Sequence, residues 1–466
     1  MAMNSWKQKE FGFIIIYAIC FYIFIINRSL KISHDHYQQL WGLRPGWLAN
    51  RLNDVSDGQW RNFRGNIPIL SAVFGAFTVL ATSLQKTCQL RANGMSIVWL
   101  MVSLIYLIYL HGACVLFILS IASLNFLLVK IFARTKYFPY VLWTFNVFFL
   151  ICNRVYEGYS FSILGRQWAY LDNFRGTFRW HICFNFVALR MISFGCDYHW
   201  AQKDSRFDQE IDRPQNTYLP KDVALYGLTW AFSLCLVELI THFFYYNAFA
   251  TSGLWKQLSA LDVFIIGYGV LNFMWLKFLL IWRFFRFWSL LNGIEAPENM
   301  PKCINNCHNL ESFWKSWHAS FNKWLVRYLY IPLGGAQTKL LNVWVIFTFV
   351  AIWHDLEWKL LSWAWLTCIF FIPEILLKSA AKAFKVESTF WKFFFEELSA
   401  ISGAVTITCL MIANLVGFVV GPSGINFLIS GFLHKEGLPV LAGIFFTFYL
   451  GTKLMFHIRD ARQKSS

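Results

Sequence analysis

Hydrophobic and polar positions alternate along this chain as apolar blocks of about 15 to 25 residues separated by intervals that carry most of the charge. That block length is the crossing length of a membrane helix, and the pattern predicts one all-α, polytopic membrane domain. The first block, 11–26, has a basic front end and lacks a small-residue cleavage site before Asn27 and Arg28, so it reads as a retained anchor. A polar stretch over 28–66 follows, with Trp41, Trp47 and Trp60 among arginines, as expected of an interfacial segment with aromatic anchors. Spans are predicted over 67–84, 137–152, 225–249, 264–280, 340–353, 360–376, 398–420 and 438–456. The block 96–132 is too long for one crossing, and His111-Gly112 marks the expected break between two helices.

Between these blocks, 153–178 mixes charge with aromatics and suits a helix lying at the headgroups. The segment 180–194 is apolar but carries His181, Asn185 and Arg190, so it is expected to line the protein interior, with Asp197 a plausible ion-pair partner for Arg190. The most polar interval, 201–221, is predicted to be an exposed loop, and 292–309 another. The count comes to roughly ten to twelve transmembrane helices, with interfacial and re-entrant helices besides. An N-terminal part, 1–95, would hold the anchor, the interfacial segment and first spans, and 96–466 the main helical core.

Composition strengthens this picture. Of 466 residues, 57% are hydrophobic, 20% aromatic and only 14% charged, which fits lipid better than water as the surrounding medium. The net charge of +16 sits mostly in loops and at helix ends, as positive-inside topology and anionic headgroups require. No long Lys/Arg run stands apart from the apolar blocks, so nucleic acid is not an expected partner. Most of the 11 cysteines lie inside apolar segments, where a thiol packs as a small hydrophobe. Cys303, Cys307 and His308 lack a second Cys/His pair at finger spacing, and no metal is expected.

The candidate chemistry lies in 312–354. Trp314, Trp317, His318, Phe321, Trp324 and Tyr328 recur at three-to-four spacing while Lys315, Lys323 and Arg327 fall largely elsewhere, which predicts one amphipathic helix ended by Pro332, Gly334 and Gly335. On such a helix His318 and Asn322 share a face. The span 340–353 then carries no charge until His354, which stands beside Asp355. A histidine there can hydrogen-bond a neighbouring helix, or it can take a proton as a neutral imidazole in a cavity.

Phe313-Trp314-x-x-Trp317-His318-x-Ser320, the run Trp324-Leu325-x-x-Tyr328-Leu329-Tyr330-Ile331-Pro332-Leu333-Gly334-Gly335, and Trp353-His354-Asp355 together resemble the two signature blocks of the membrane-bound O-acyltransferases. The branch holding hedgehog acyltransferase and the Gup (glycerol-uptake-type) proteins is most similar. Leu189 to Phe194 with Asp197-Tyr198, Gly293 to Met300, and His354 to Trp363 look more like Gup than like the hedgehog enzyme. The resemblance implies transfer of a long-chain acyl group from acyl-CoA to a hydroxyl of a lipid or lipid-anchored acceptor, such as a lyso-lipid or lyso-glycosylphosphatidylinositol anchor, in the endoplasmic reticulum membrane. It implies His354 as the base, with His318 or Asn322 orienting or polarising. Trp314 and a basic rim of Lys315, Lys323, Arg327 and Lys339 would receive coenzyme A and its phosphates. Two other readings stand beside it: a protein acyltransferase of the hedgehog type, and a glycerol or polyol transporter using Arg190, Asp262 and Glu374.

Overall fold

A computed structural model describes residues 5–48, 50–90, 92–202, 218–383, 389–421 and 424–465. Most of the polar interval expected as a loop, 203–217, lies outside them. The described chain is helical apart from one hairpin: α1 (Ser5–His36), β1 (Leu43–Pro45), β2 (Leu52–Asp54), α2 (Gly58–Thr87), α3 (Ala92–His111), α4 (Val115–Phe132), α5 (Phe138–Val155), α6 (Trp180–Ala201), α7 (Pro220–Phe243) and α8 (Tyr246–Ser252). Then come α9 (Ala260–Leu291), α10 (Leu310–Ser316), α11 (Ala319–Leu325), α12 (Lys339–His354), α13 (Trp358–Ala383), α14 (Thr389–Leu415), α15 (Ile425–Leu433) and α16 (Leu438–Ser465). Among the described residues, nine helical stretches are long and apolar enough to cross a membrane, and α12 is a shorter apolar helix. Contacts divide the chain into two compact units, one of 1–71, 218–323 and 362–466, the other of 72–217 and 324–361.

In the first unit, α1, α8, α9, α14 and α16 contribute Ile25, Phe249, Phe264, Ile265, Ala404 and Phe448 to a common core. The expected interfacial segment is structured differently from its sequence reading. Helix α1 runs on to His36, and α2 starts at Gly58 rather than near residue 67. Between them β1 pairs antiparallel with β2, Leu43 opposite Asp54 and Pro45 opposite Leu52. Trp41 and Trp47 are exposed as anchors should be, but Trp60 is fully buried, its ring against Phe63 and Phe273. Trp47 also donates its indole N–H to Glu238 at 3.1 Å, and Arg64 grips the same carboxylate with two bonds of 2.5 and 2.8 Å.

The span expected over 225–249 stops at Phe243, where Phe244 turns extended. Asp54 explains the restart. Its buried carboxylate accepts from the backbone N–H groups of Asn247 and Ala248 at 2.9 and 3.0 Å, capping α8, and from the N–H and hydroxyl of Ser56 at 3.1 and 2.6 Å. Burial holds the Asp54 carboxyl above its ordinary range against the downward pull of those four bonds.

In the second unit, the break at His111-Gly112 is present. Helix α3 ends at His111, a 3₁₀ turn over Gly112–Cys114 follows, and α4 begins at Val115. Gly112 has φ +55°, and a Cβ there would lie 2.0 Å from the carbonyl oxygen of Phe174, so only glycine fits this close approach. The loop it touches was expected to be one helix over 153–178. It forms instead two 3₁₀ segments, Phe161–Leu164 and Arg166–Phe174, pinned by Asp172, which accepts from the Ser160 hydroxyl, the Phe161 N–H and Arg175. The Ser160 bond, with Arg175 and the Phe161 N–H in support, holds the Asp172 carboxyl down at about 2. A second core joins α4, α5 and α6 through Val129, Phe138, Leu142 and Ile192, with Tyr328 packed into it.

Removing the Asp54 carboxylate leaves two helix-terminal N–H groups buried without their acceptor. Asp54→Ala is expected to cost about 2–4 kcal/mol, read as a lower thermal unfolding midpoint of the purified protein, and Asp54→Asn, which keeps one acceptor oxygen, less.

Candidate functional site

The amphipathic helix expected over 314–330 is interrupted at its histidine. Helix α10 ends at Ser316, Trp317 is extended, and His318 takes the left-handed region at φ +49° before α11 begins at Ala319. A non-glycine residue there costs about 1–2 kcal/mol and persists only when its surroundings fix it. Those surroundings are visible on both sides of the break. Upstream, the Asn309 side chain accepts from the Ser312 N–H at 2.7 Å, and Glu374 accepts from the Leu310 N–H at 2.7 Å, so α10 starts doubly capped. Downstream, Asn299 closes the start of α11, its carbonyl taking the Ala319 N–H and its side-chain oxygen the Ser320 N–H, both at 3.0 Å. Asn299 is held in turn by its neighbour Glu298, which faces Arg283 and Arg286 and accepts from the Tyr226 hydroxyl at 3.0 Å.

Because His318 lies outside the helix, Asn322 does not share a continuous helical face with it. The two are linked through the backbone, the Asn322 N–H donating to the His318 carbonyl at 3.0 Å. The half-buried imidazole packs edge-on against Trp282, ring centres 4.4 Å apart, and against Phe321 at 5.3 Å. Trp314 lies against Phe313 and Trp363. Lys315 is exposed and pairs with Glu311 at 2.8 Å, and Lys323 is exposed. All of these belong to the first unit.

His354 and Arg327 belong to the second. His354 is the last residue of α12, whose only charged residue is Lys339 at its start. Asn185 of α6 fixes that helix end by a reciprocal clamp: its amide donates to the Trp353 carbonyl at 2.5 Å, and the Trp353 indole N–H donates to the Asn185 carbonyl at 3.0 Å. On the other side of His354, the extended Asp355 forms an ion pair with Arg154. Both chain neighbours of His354 are therefore tied down; His354 itself is an exposed residue, its ring centre 4.8 Å from that of Trp353. Arg327 lies in a π-helical turn, Val326–Tyr330, and meets Asp197 at 3.3 Å, beside the Tyr328 hydroxyl at 2.9 Å from the same carboxylate. Asp197 thus takes its partners from the signature block, not from Arg190 as its sequence position suggested.

The candidate residues were legible in the sequence, but their supports were not singled out for this role. Asn185 and Glu374 stood out only as polar residues in apolar segments, Glu298 and Asn299 only as part of a stretch with a familiar pattern, and Arg154 only as one of the charges over 153–178. Asn309 carried no distinguishing signal. Among the described residues no group of three or more His, Cys, Asp or Glu side chains is arranged to hold a metal ion.

Residues 203–415 match the family model described as the membrane-bound O-acyltransferase family. Over 96% of its length the chain is 30% identical to the membrane-bound O-acyltransferase gup1 of Schizosaccharomyces pombe, covering 86% of that protein. It is 28% identical to the GUP1 protein of Saccharomyces cerevisiae over 99% of this chain and 93% of the relative. A shorter match, 25% identical over 34% of the chain and 33% of the relative, is to the mouse protein-cysteine N-palmitoyltransferase HHAT. Similarity of this extent, together with the apolar helices, establishes that the chain belongs to the membrane-bound O-acyltransferase family and is a multi-pass membrane acyltransferase.

Proposed function

We propose that the chain transfers a long-chain acyl group from acyl-CoA to a hydroxyl of a lipid acceptor, a lyso-lipid or lyso-glycosylphosphatidylinositol anchor, in the endoplasmic reticulum membrane, with His354 as general base. The observation that supports this most is the end of α12, where Trp353 and Asp355 are both clamped on either side of an exposed His354. A base must be held still yet reach its proton. In the reaction, the acceptor oxygen attacks the thioester carbonyl and forms the new ester bond while His354 takes the hydroxyl proton. The carbon–sulfur bond then breaks, and the coenzyme A thiolate leaves and collects that proton. His318, on its strained backbone, orients or polarises a reacting group, with Asn322 beside it in sequence. Trp314, Lys315, Lys323 and Arg327 are the residues proposed to receive the nucleotide and its phosphates.

The similarity to a protein-cysteine palmitoyltransferase supports a second reading, in which the acceptor is a group on a protein. Incubating the purified protein with labelled acyl-CoA and a panel of lyso-lipids and peptides, then identifying the product by mass spectrometry, separates the two.

His354→Ala is expected to lower acyl transfer by about a hundredfold to ten-thousandfold, the usual worth of a positioned base, with expression and membrane insertion unchanged. Wild-type rates in that variant would remove His354 from the mechanism. At His318 the left-handed backbone permits a sharper test. Glycine and asparagine both tolerate φ +49°, so His318→Gly and His318→Asn are expected to keep the thermal midpoint and lose most of the transfer rate, whereas normal rates in either would assign His318 a purely backbone role.

A further inference from the structure

The first unit contains a cavity of about 250 Å³ bounded by α1, α9, α14 and α16 and reaching Phe313 and Trp317, the residues that lead into His318. It is close to the ~300 Å³ at which ligand-sized sites begin. None of the residues lining it is charged. Charged residues nearby on the same helices are engaged with one another, Lys453 of α16 with Glu10 of α1 and Glu397 of α14. An uncharged lining selects a hydrocarbon chain over a headgroup. Two of its wall residues, Tyr22 and Ile458, are also 47% and 38% exposed on the outer faces of α1 and α16, so the cavity communicates with the apolar exterior. The polar side chains of its lining are uncharged, among them Asn305 and Asn306, exposed at the rim.

Gly451 of α16 is the second observation. It lines the cavity, and a Cβ added there would meet nothing within 4 Å. Glycine inside a helix costs about 1 kcal/mol relative to alanine, and here no close packing or left-handed backbone requires it. What the missing side chain preserves is open volume.

We propose that this cavity is the binding site for the hydrocarbon tail of the acyl acceptor, a single-tailed lyso-lipid that enters sideways from the bilayer, and that Gly451 sets the room available to it. A membrane-resident lyso-lipid keeps its tail in the bilayer from which such a cavity is reached, whereas acyl-CoA carries a polyanionic headgroup for which the lining supplies no cation. The identity of the lipid as acceptor rests on the acyl-transfer reading above; occupancy of the cavity by a lyso-lipid tail does not.

The test uses full-length purified protein and two photoactivatable probes, a lysophosphatidylcholine and an acyl-CoA, each with a diazirine near the end of its chain. The lyso-lipid is expected to label α1 and α16 peptides carrying Ile14, Leu454 or Met455. Gly451→Leu is expected to cut that labelling about tenfold and to leave acyl-CoA labelling unchanged, and Gly451→Ala is expected to change it little. If Gly451→Leu fails to fold, Ala18→Phe obstructs the cavity from the opposing helix α1 and gives the same reading. Labelling of these peptides by acyl-CoA instead, or lyso-lipid labelling elsewhere or indifferent to both variants, overturns the proposal. Because labelling needs no turnover, its success in a protein without transfer activity would retain the lipid site and reject the acyl-transfer reading alone.

Discussion

Each time a helix restarts in an apolar environment, its first N–H groups lack intrahelical partners and no bulk water is at hand to supply them. The position of His318 depends on how this chain meets that demand. Two helices start within ten residues, and the donors at their starts are met by the local N-cap Asn309 and by Asn299 and Glu374, which lie 21 and 64 residues from the N–H groups they bind. The same solution recurs at α8, where Asp54 accepts from two N–H groups across a separation of nearly 200 residues. Acidic residues distant in sequence act here as helix caps.

That use of acidic groups bears on the transporter reading, which leaned on charged residues inside apolar segments. Asp262 is bound by Arg28 at 2.7 and 2.9 Å and by the hydroxyl of Ser259, which itself caps α9, and Glu374 anchors α10. A carboxylate that satisfies a helix terminus or a guanidinium is held by that duty, since releasing it would leave the partner's donors bare at about 1–3 kcal/mol for each group. Structural service accounts for these charges without a solute.

Where the sequence was readable, a local cause was written into it. The break at His111-Gly112 follows from a glycine whose absent Cβ admits the Phe174 carbonyl, and the run without charge before His354 marks α12 directly. The break at His318 has no glycine or proline to announce it, and the three-to-four spacing of aromatics across it reads as one helix because both halves are helical. Its cause lies in Asn299 and Glu374 together with the N-cap Asn309, and tertiary acceptors such as the first two leave no periodic trace. Trp60 failed as an anchor for a related reason: the sequence shows an aromatic among arginines, but only the packing of α2 on α9 through Phe63 and Phe273 decides that this ring turns inward while Trp47 stays out.

The proposed basic rim raises a question of magnitude, because two of its members already have carboxylate partners. Lys315 and Glu311 form an exposed pair four residues apart on one helix, worth about 0.3–0.5 kcal/mol. Arg327 and Asp197 are also substantially exposed, at 43% and 39%, and separated by 3.3 Å, so their pair falls within the ~1 kcal/mol ceiling for surface bridges. A multiply charged phosphate offers either cation a stronger, charge-assisted bond than one solvated carboxylate does. The existing partners therefore hold the cations in place without sequestering them. The Tyr328 hydroxyl bond to Asp197 keeps that carboxylate satisfied when Arg327 turns away, so the exchange leaves no bare acceptor behind.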